Sequence, residues 1–362
     1  MEGVLPVAAE ASGVVIMPDQ LREFVTRIFE AHGMPHDDAF VVADHLVEAD
    51  LRGVYSHGVI RVEPYTNRLK AGGMNPRPNI QVLRETPGTA LIDGNDAAGQ
   101  VVGVRAMNLA IEKAKNVGVS YVGARMSNHF GTCAYYAQMA LPHDMIGVAA
   151  TVGGTNIMAP TGGISKLLGN NPFGVAMPAA REYPVVLDMA QSVVARGKIA
   201  HAVKTGGSIP PTWALNKYGE PTTDPVEAYS GLVQPVGGYK GYSMAFVVMV
   251  LGGVLNGAGF ANRMPIFEDG IKPNLNIGHY FQAIDIKAFM DPEEFKAKID
   301  EAVQAMHGSE LAKGSERVYV PGELEWLKRE ERLKNGVPVA AGVWKDIVRV
   351  AEKNGVELPP TA

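Results

Sequence analysis

The 362 residues suit one large domain or two at ~150 residues per domain, and a chain this long buries about three quarters of its unfolded surface without a metal or disulfide staple. Hydrophobic residues at 46% and charged residues at 20% exclude a mainly disordered chain. A net charge of -5, from 33 basic and 38 acidic residues, argues against nucleic-acid binding through a basic face, and the single cysteine, Cys133, excludes an internal disulfide and any multi-cysteine metal site.

Residues 1–17 read as a loose lead-in, with glutamates and no basic n-region, so no secretory signal is expected and a cytoplasmic chain is. Leu21, Phe24, Val25, Ile28 and Phe29 follow Pro18-Asp19 at helical spacing and predict a helix ended by Gly33. A second helix is predicted over 37–51. Gly, Pro and Asn crowd 72–87, which reads as a linker. Then come a strand at 89–93, an amphipathic helix at 101–116, a strand at 119–123 and a helix at 130–141. Strands are predicted at 146–151 and 184–188, the latter running at once into a helix over 189–204. Helical periodicity returns at 241–256, a strand fits 280–286, and helices fit 292–307, 323–335 and 344–354. The apolar run 242–255 is shorter than the ~20 residues a bilayer crossing needs and is interrupted by Gly252 and Gly253, so it reads as a buried helix and no membrane partner is expected. Mixed strand and helix order gives the α/β class.

The familiar ligand motifs are absent. Gly257-Ala258-Gly259 lacks the third glycine of the dinucleotide fingerprint and follows a helix. Gly237-Gly238-Tyr239-Lys240-Gly241 lacks the spacing and the Ser/Thr of a phosphate-binding P-loop. Neither H-E-x-x-H nor G-x-S-x-G occurs, and no metal site is expected.

Four constellations remain. Ser56-His57 with Arg61 joins a side chain able to exchange protons near neutral pH to a fork that grips a carboxylate; the plain alternative is a solvated His and Arg. Ser127-Asn128-His129 opens the helix after a strand, where α/β proteins bind ligands, or simply caps it. Asp188 ends an apolar strand and is read as an N-cap or as the support of a catalytic histidine, pointing towards His57 and away from a phosphate at the helix N-terminus. Glycines on both sides of Lys240 let backbone approach a ligand while the ammonium reaches an anion, unless Lys240 is only a solvated lysine.

In their shared order, the segments SHGVIRV, SNHFGTCAYYA, APTGG, LGNNPF, LDMAQS, ARGK, GEPTTDP, GGYKGYSMA, GHYFQAIDIKAF and PGE resemble the type 2 malate/L-lactate dehydrogenase family, over about 17–339. The resemblance implies a non-Rossmann NAD(P)-binding fold, a mixed sheet with helical N- and C-terminal parts. In it, residues 1–80 carry Ser56, His57 and Arg61 and pack with 290–362, while 81–289 form the α/β cofactor-binding core. It implies His57 as proton donor, Ser56 and Asp188 as its relay partners, Arg61 as carboxylate clamp, and His129 as a second active-site histidine that is the acid/base in some members. Val186, Leu187, Asp188, Met189, Ala190, Ser192, Tyr239, Lys240, Pro321, Gly322 and Glu323 resemble the contacts to NAD or NADP. The implied reaction is hydride transfer to or from C2 of a small 2-hydroxy or 2-oxo acid, by a homodimer. Cyclic imine reduction, ureidoglycolate oxidation and a non-catalytic nucleotide-binding protein are the alternatives. Three departures stand out: an extra residue after Thr151, Asn170-Asn171-Pro172 in place of Thr-Asn-Pro, and Met249 in place of a glutamate.

Overall fold

The computed structural model describes residues 13–264 and 275–360; positions 1–12 of the expected lead-in lie outside them. In chain order the elements are β1 (Val14–Ile16), α1 (Pro18–Glu30), α2 (His36–Leu51), α3 (Val62–Lys70), β2 (Gln81–Glu85), β3 (Thr89–Ala97) and α4 (Gly99–Val117). There follow β4 (Tyr121–Ser127), α5 (Cys133–Gln138), β5 (Met145–Thr151), β6 (Phe173–Met177), β7 (Val185–Met189), α6 (Arg196–Thr205), β8 (Ala214–Leu215) and α7 (Pro225–Ser230). The last are β9 (Leu232–Val233), α8 (Tyr239–Val248), β10 (Ile277–Asp285), α9 (Pro292–His307), α10 (Glu323–Asn335), β11 (Val337–Val339) and α11 (Ala341–Lys353).

These elements form two units. Of the described residues, one holds those up to Arg77 and those from Leu324 onward; the other holds those between Pro78 and Glu323. In the first, α1 buries Leu21, Phe24, Val25, Ile28 and Phe29, the stripe read from the sequence. The end of the supposed lead-in is ordered. Val14, Val15 and Ile16 are β-branched, suit a pleated strand, and pair antiparallel with Val339, Pro338 and Val337.

The second unit is built on a sheet whose described strands run β2-β3-β4-β10-β5-β6-β7. The β3–β4 pair is parallel and the other neighbours are antiparallel. This is a mixed α/β sheet, as expected. The pleat sends alternate side chains to opposite faces. Phe281, Ala283 and Ala149 pack with Ala106, Met107 and Ala110 of α4, whereas Tyr280, Val148 and Ala150 pack with Val248 at the end of α8. Residues 290–323 belong to this unit. Asp300 of α9 accepts the backbone N–H groups of Ala180, Arg181 and Glu182, and Val186 N–H donates to the Pro321 carbonyl at 3.0 Å.

Three expectations need correction. The linker 72–87 contains β2, which pairs with β3 through a bulge. The helix over 130–141 shrinks to α5, because Gly131 adopts φ +82° and the helix cannot include it. No helix starts at position 189. Gln191 N–H donates to the Asn170 carbonyl, Val193 N–H to Gln234 and Val236 N–H to Gln191, so the chain spends its backbone bonds on neighbouring loops until α6 begins at Arg196. Among the described residues no helix is long and apolar enough to cross a membrane.

Candidate active site

The SHGVIR segment lies in the first unit. After α2 the chain forms two short 3-10 turns, Tyr55–His57 and Val59–Arg61, rather than one continuous helix. Arg61 is therefore set by a direct bond, its Nε donating to the Ser56 carbonyl at 2.6 Å. Ser56 Oγ lies 2.8 Å from His57 Nδ1. The break between the turns is held by Asp50, whose Oδ2 accepts Val59 N–H at 2.7 Å. Gly58 is required there because a Cβ would fall 1.8 Å from Asp50 Oδ1. From α10, Arg332 donates to the Asp50 carbonyl and to the Tyr55 hydroxyl. Burial, then the positive charge of Arg61 and the neighbouring His45, push the half-buried His57 ring down to about 3. Its imidazole is neutral at physiological pH.

The other expected residues lie in the sheet unit. Asp188 sits near the end of β7, opposite Gly174 of β6. Its own strand is not followed by a helix, so it caps a different one. Its Oδ2 accepts the N–H of Ala134 at 2.8 Å, in the first turn of α5. That bond ties the carboxylate to the segment carrying His129. There Asn128 donates its amide to the carbonyls of Asp96 at 2.8 Å and Ala97 at 3.0 Å.

The expected dinucleotide contacts fall into two neighbouring stretches. Pro321-Gly322 extends the edge of β7, and a Cβ on Gly322 would come within 2.6 Å of the Val186 carbonyl. The Glu323 carboxylate is buried and taken up by His307 Nε2 at 2.8 Å, the Arg317 guanidinium and Val320 N–H. Leu187, Met189 and Ala190 keep part of their surface exposed, whereas Ser192 is buried and donates to the Val194 carbonyl. Ser192 bridges to Pro235, which brings the loop after β7 beside the turn before α8.

That turn suits an anionic ligand. Gly237 and Gly238 adopt φ +60° and +65°, conformations that side chains resist. Space within 4 Å of a Cβ on Gly238 is open. The N-terminus of α8 has no side-chain cap, and Tyr239 and Lys240 are exposed beside it. A helix N-terminus without a side-chain cap, open backbone and an ammonium are what a dinucleotide's phosphates need. Among the described residues no group of His, Cys, Asp or Glu could hold a metal ion.

Sequence reasoning missed Asp50, the structural use of Asn171, and His279. Asn171 accepts Gly153 N–H and donates to the Ala245 carbonyl, both at 2.8 Å, tying the turn after β5 to α8. Met249 packs in an apolar cluster with Ile157, Met158 and Val194. His279 is fully buried in β10, and a lone histidine within an apolar strand was its one visible signal.

Malate dehydrogenase of Pyrococcus horikoshii is 41% identical over 347 residues, 94% of this chain and 95% of that protein. L-sulfolactate dehydrogenase of Methanocaldococcus jannaschii is 38% identical over 345 residues, 95% of this chain and 98% of that one. The solved Pyrococcus horikoshii malate dehydrogenase superposes with a TM-score of 0.88 at 39% identity, covering 97% of this chain and 98% of its own. The malate/L-lactate dehydrogenase family model matches residues 16–348, and the chain belongs to that family.

Proposed function

We propose that this protein interconverts a small 2-hydroxy acid and its 2-oxo acid, with His57 moving the proton and Arg61 holding the substrate carboxylate. The observation that carries this reading is the Ser56–His57–Arg61 cluster, in which a neutral imidazole and a guanidinium are oriented by the same residue. Family membership makes the chain an oxidoreductase of the CH–OH group. The exposed turn at Gly237–Lys240, with the backbone of β7 and Pro321-Gly322, would hold NAD or NADP. When bound, that dinucleotide supplies or accepts the hydride.

In oxidation, neutral His57 accepts the hydroxyl proton as carbonyl character develops at C2; in reduction it returns it. Ser56 engages Nδ1 and so orients the ring for that exchange. Arg61 does two things. Its fork fixes the carboxylate next to the reacting carbon, and its charge is one of the causes holding His57 below its usual range. A bound carboxylate offsets that charge and raises the proton affinity of His57 when substrate is present. Asp188 and His129 lie on bonded segments of the sheet unit, and the family resemblance is what supports giving them parts in the same reaction. A homodimer in the cytoplasm completes the proposal. The α8 region leaves Met244, Phe246, Val247 and Leu255 between 45% and 61% exposed, an apolar strip a second copy would cover.

The test follows reduced-nicotinamide absorbance with malate, sulfolactate and lactate, with NAD and NADP, and in reverse with their 2-oxo acids. Turnover of one of these pairs supports the proposal. Activity confined to piperideine- or pyrroline-2-carboxylate would replace it with imine reduction, and dinucleotide binding without any turnover would make the protein a non-catalytic binder.

A further inference from the structure

The fully buried ring of His279 uses both its nitrogens. Nδ1 lies 2.7 Å from Thr151 Oγ1 and Nε2 lies 2.7 Å from Ser127 Oγ. Thr151 Oγ1 is also within reach of the Val152 and Gly278 carbonyls, at 3.1 and 3.2 Å. Ser127 Oγ in turn lies 3.4 Å from the Asn128 carbonyl, so each hydroxyl stands between a ring nitrogen and a backbone carbonyl, and the imidazole donates from one nitrogen and accepts at the other. The Phe130 ring lies parallel to the imidazole, with centroids 4.5 Å apart.

The partners of this ring are not random core positions. Thr151 ends β5 and feeds the turn at Gly153–Asn156, and Ser127 ends β4 and feeds Asn128, His129 and Phe130. One imidazole on the central strand therefore braces the exits of both neighbouring strands. An ordinary apolar residue would fill the same space without fixing either direction. A buried, fully satisfied polar group contributes little net stability but specifies orientation.

We infer that His279 is a positioning residue: by bonding Ser127 and Thr151 and stacking on Phe130, it fixes the path of the segment that presents His129. The inference rests on the proposed role of His129.

The test compares His279→Phe, His279→Gln and Ser127→Ala with His129→Ala in the full-length protein. His279→Phe keeps the ring stack and loses both bonds. It should lower kcat/KM for the hydroxy acid about tenfold to a hundredfold, the scale of a small misplacement of a reacting group. Dinucleotide affinity, read by quenching of protein fluorescence, should stay within about twofold, since only substrate-side geometry is lost. His279→Gln, whose amide reaches the Ser127 hydroxyl, should recover part of the loss. The His129 imidazole ¹⁵N shifts should move in His279→Phe and return towards wild type in His279→Gln. Should His279→Phe fail to fold, Ser127→Ala reads the same link from the partner side and should also lower kcat/KM. Unchanged kcat/KM and unmoved His129 shifts would overturn the inference, as would dinucleotide binding and turnover falling together with the folded fraction. If His129→Ala is slow but His279→Phe and Ser127→Ala run at full rate, positioning alone fails. A full-rate His129→Ala would overturn the role beneath it and the inference with it.

Discussion

His57 and His279 both have proton affinities pushed down to about 3, and both touch a serine hydroxyl, yet they are built for different work. His279 is held down by burial, and both its nitrogens are committed inside the core, so nothing a ligand does reaches it directly. His57 is half-buried, and part of its shift comes from the neighbouring Arg61 charge. A depressed imidazole is a fixed strut where solvent and ligand are excluded, and a responsive proton carrier where one cause of the depression can be neutralised by an anion.

The largest effect that would break the contrast is catalytic. His57→Ala should lower turnover by about 10²–10⁴-fold, the range for lost acid–base catalysis, with steady-state rates at saturating substrate as the check. Near-normal turnover would move the proton to His129 and leave His57 as inert as a core histidine. Next is Arg61→Lys. A point charge replaces the fork, and substrate KM should rise about tenfold or more, since hydrogen bonds to charged groups are among the stronger ones. Cofactor affinity should hardly change, and an equal loss of both would contradict the clamp.

The smallest effect sharpens the other side of the comparison. The neutral form of His279 is favoured in the folded state, so between pH 6.5 and about 3 the unfolded chain binds a proton that the folded chain refuses. Stability is therefore lost as pH falls through that window, by about 1.4 kcal/mol per pH unit for one such group. His279→Phe should flatten the dependence of urea midpoints on pH below 6.5. An unchanged slope would show that this ring does not set acid lability.

Amphipathic periodicity made the helices legible. Pro292–His307 and Glu323–Asn335 end where their spacing says. What stayed hidden depends on partners distant in the chain. Val14–Ile16 becomes a strand only because Val337–Val339 lies against it, and the stretch after Met189 stays irregular because loops at Asn170 and Gln234 take its backbone bonds. The site divides the same way. Ser56, His57 and Arg61 are adjacent enough to be read as a group, whereas Asp50, Asn171 and His279 act through contacts 9, 18 and 128 residues away. Asp188 was legible as a cap, but of the wrong helix, since its target on α5 is set by the pairing of β6 with β7.

The most direct measurement is an NMR titration of the His57 imidazole with and without a saturating, unreactive dicarboxylate. The account predicts that the anion raises the His57 pKa in the wild type and moves it far less in Arg61→Ala, while His279 stays unprotonated throughout. A His57 pKa indifferent to the carboxylate, or raised equally without Arg61, would contradict the pairing of proton carrier and clamp.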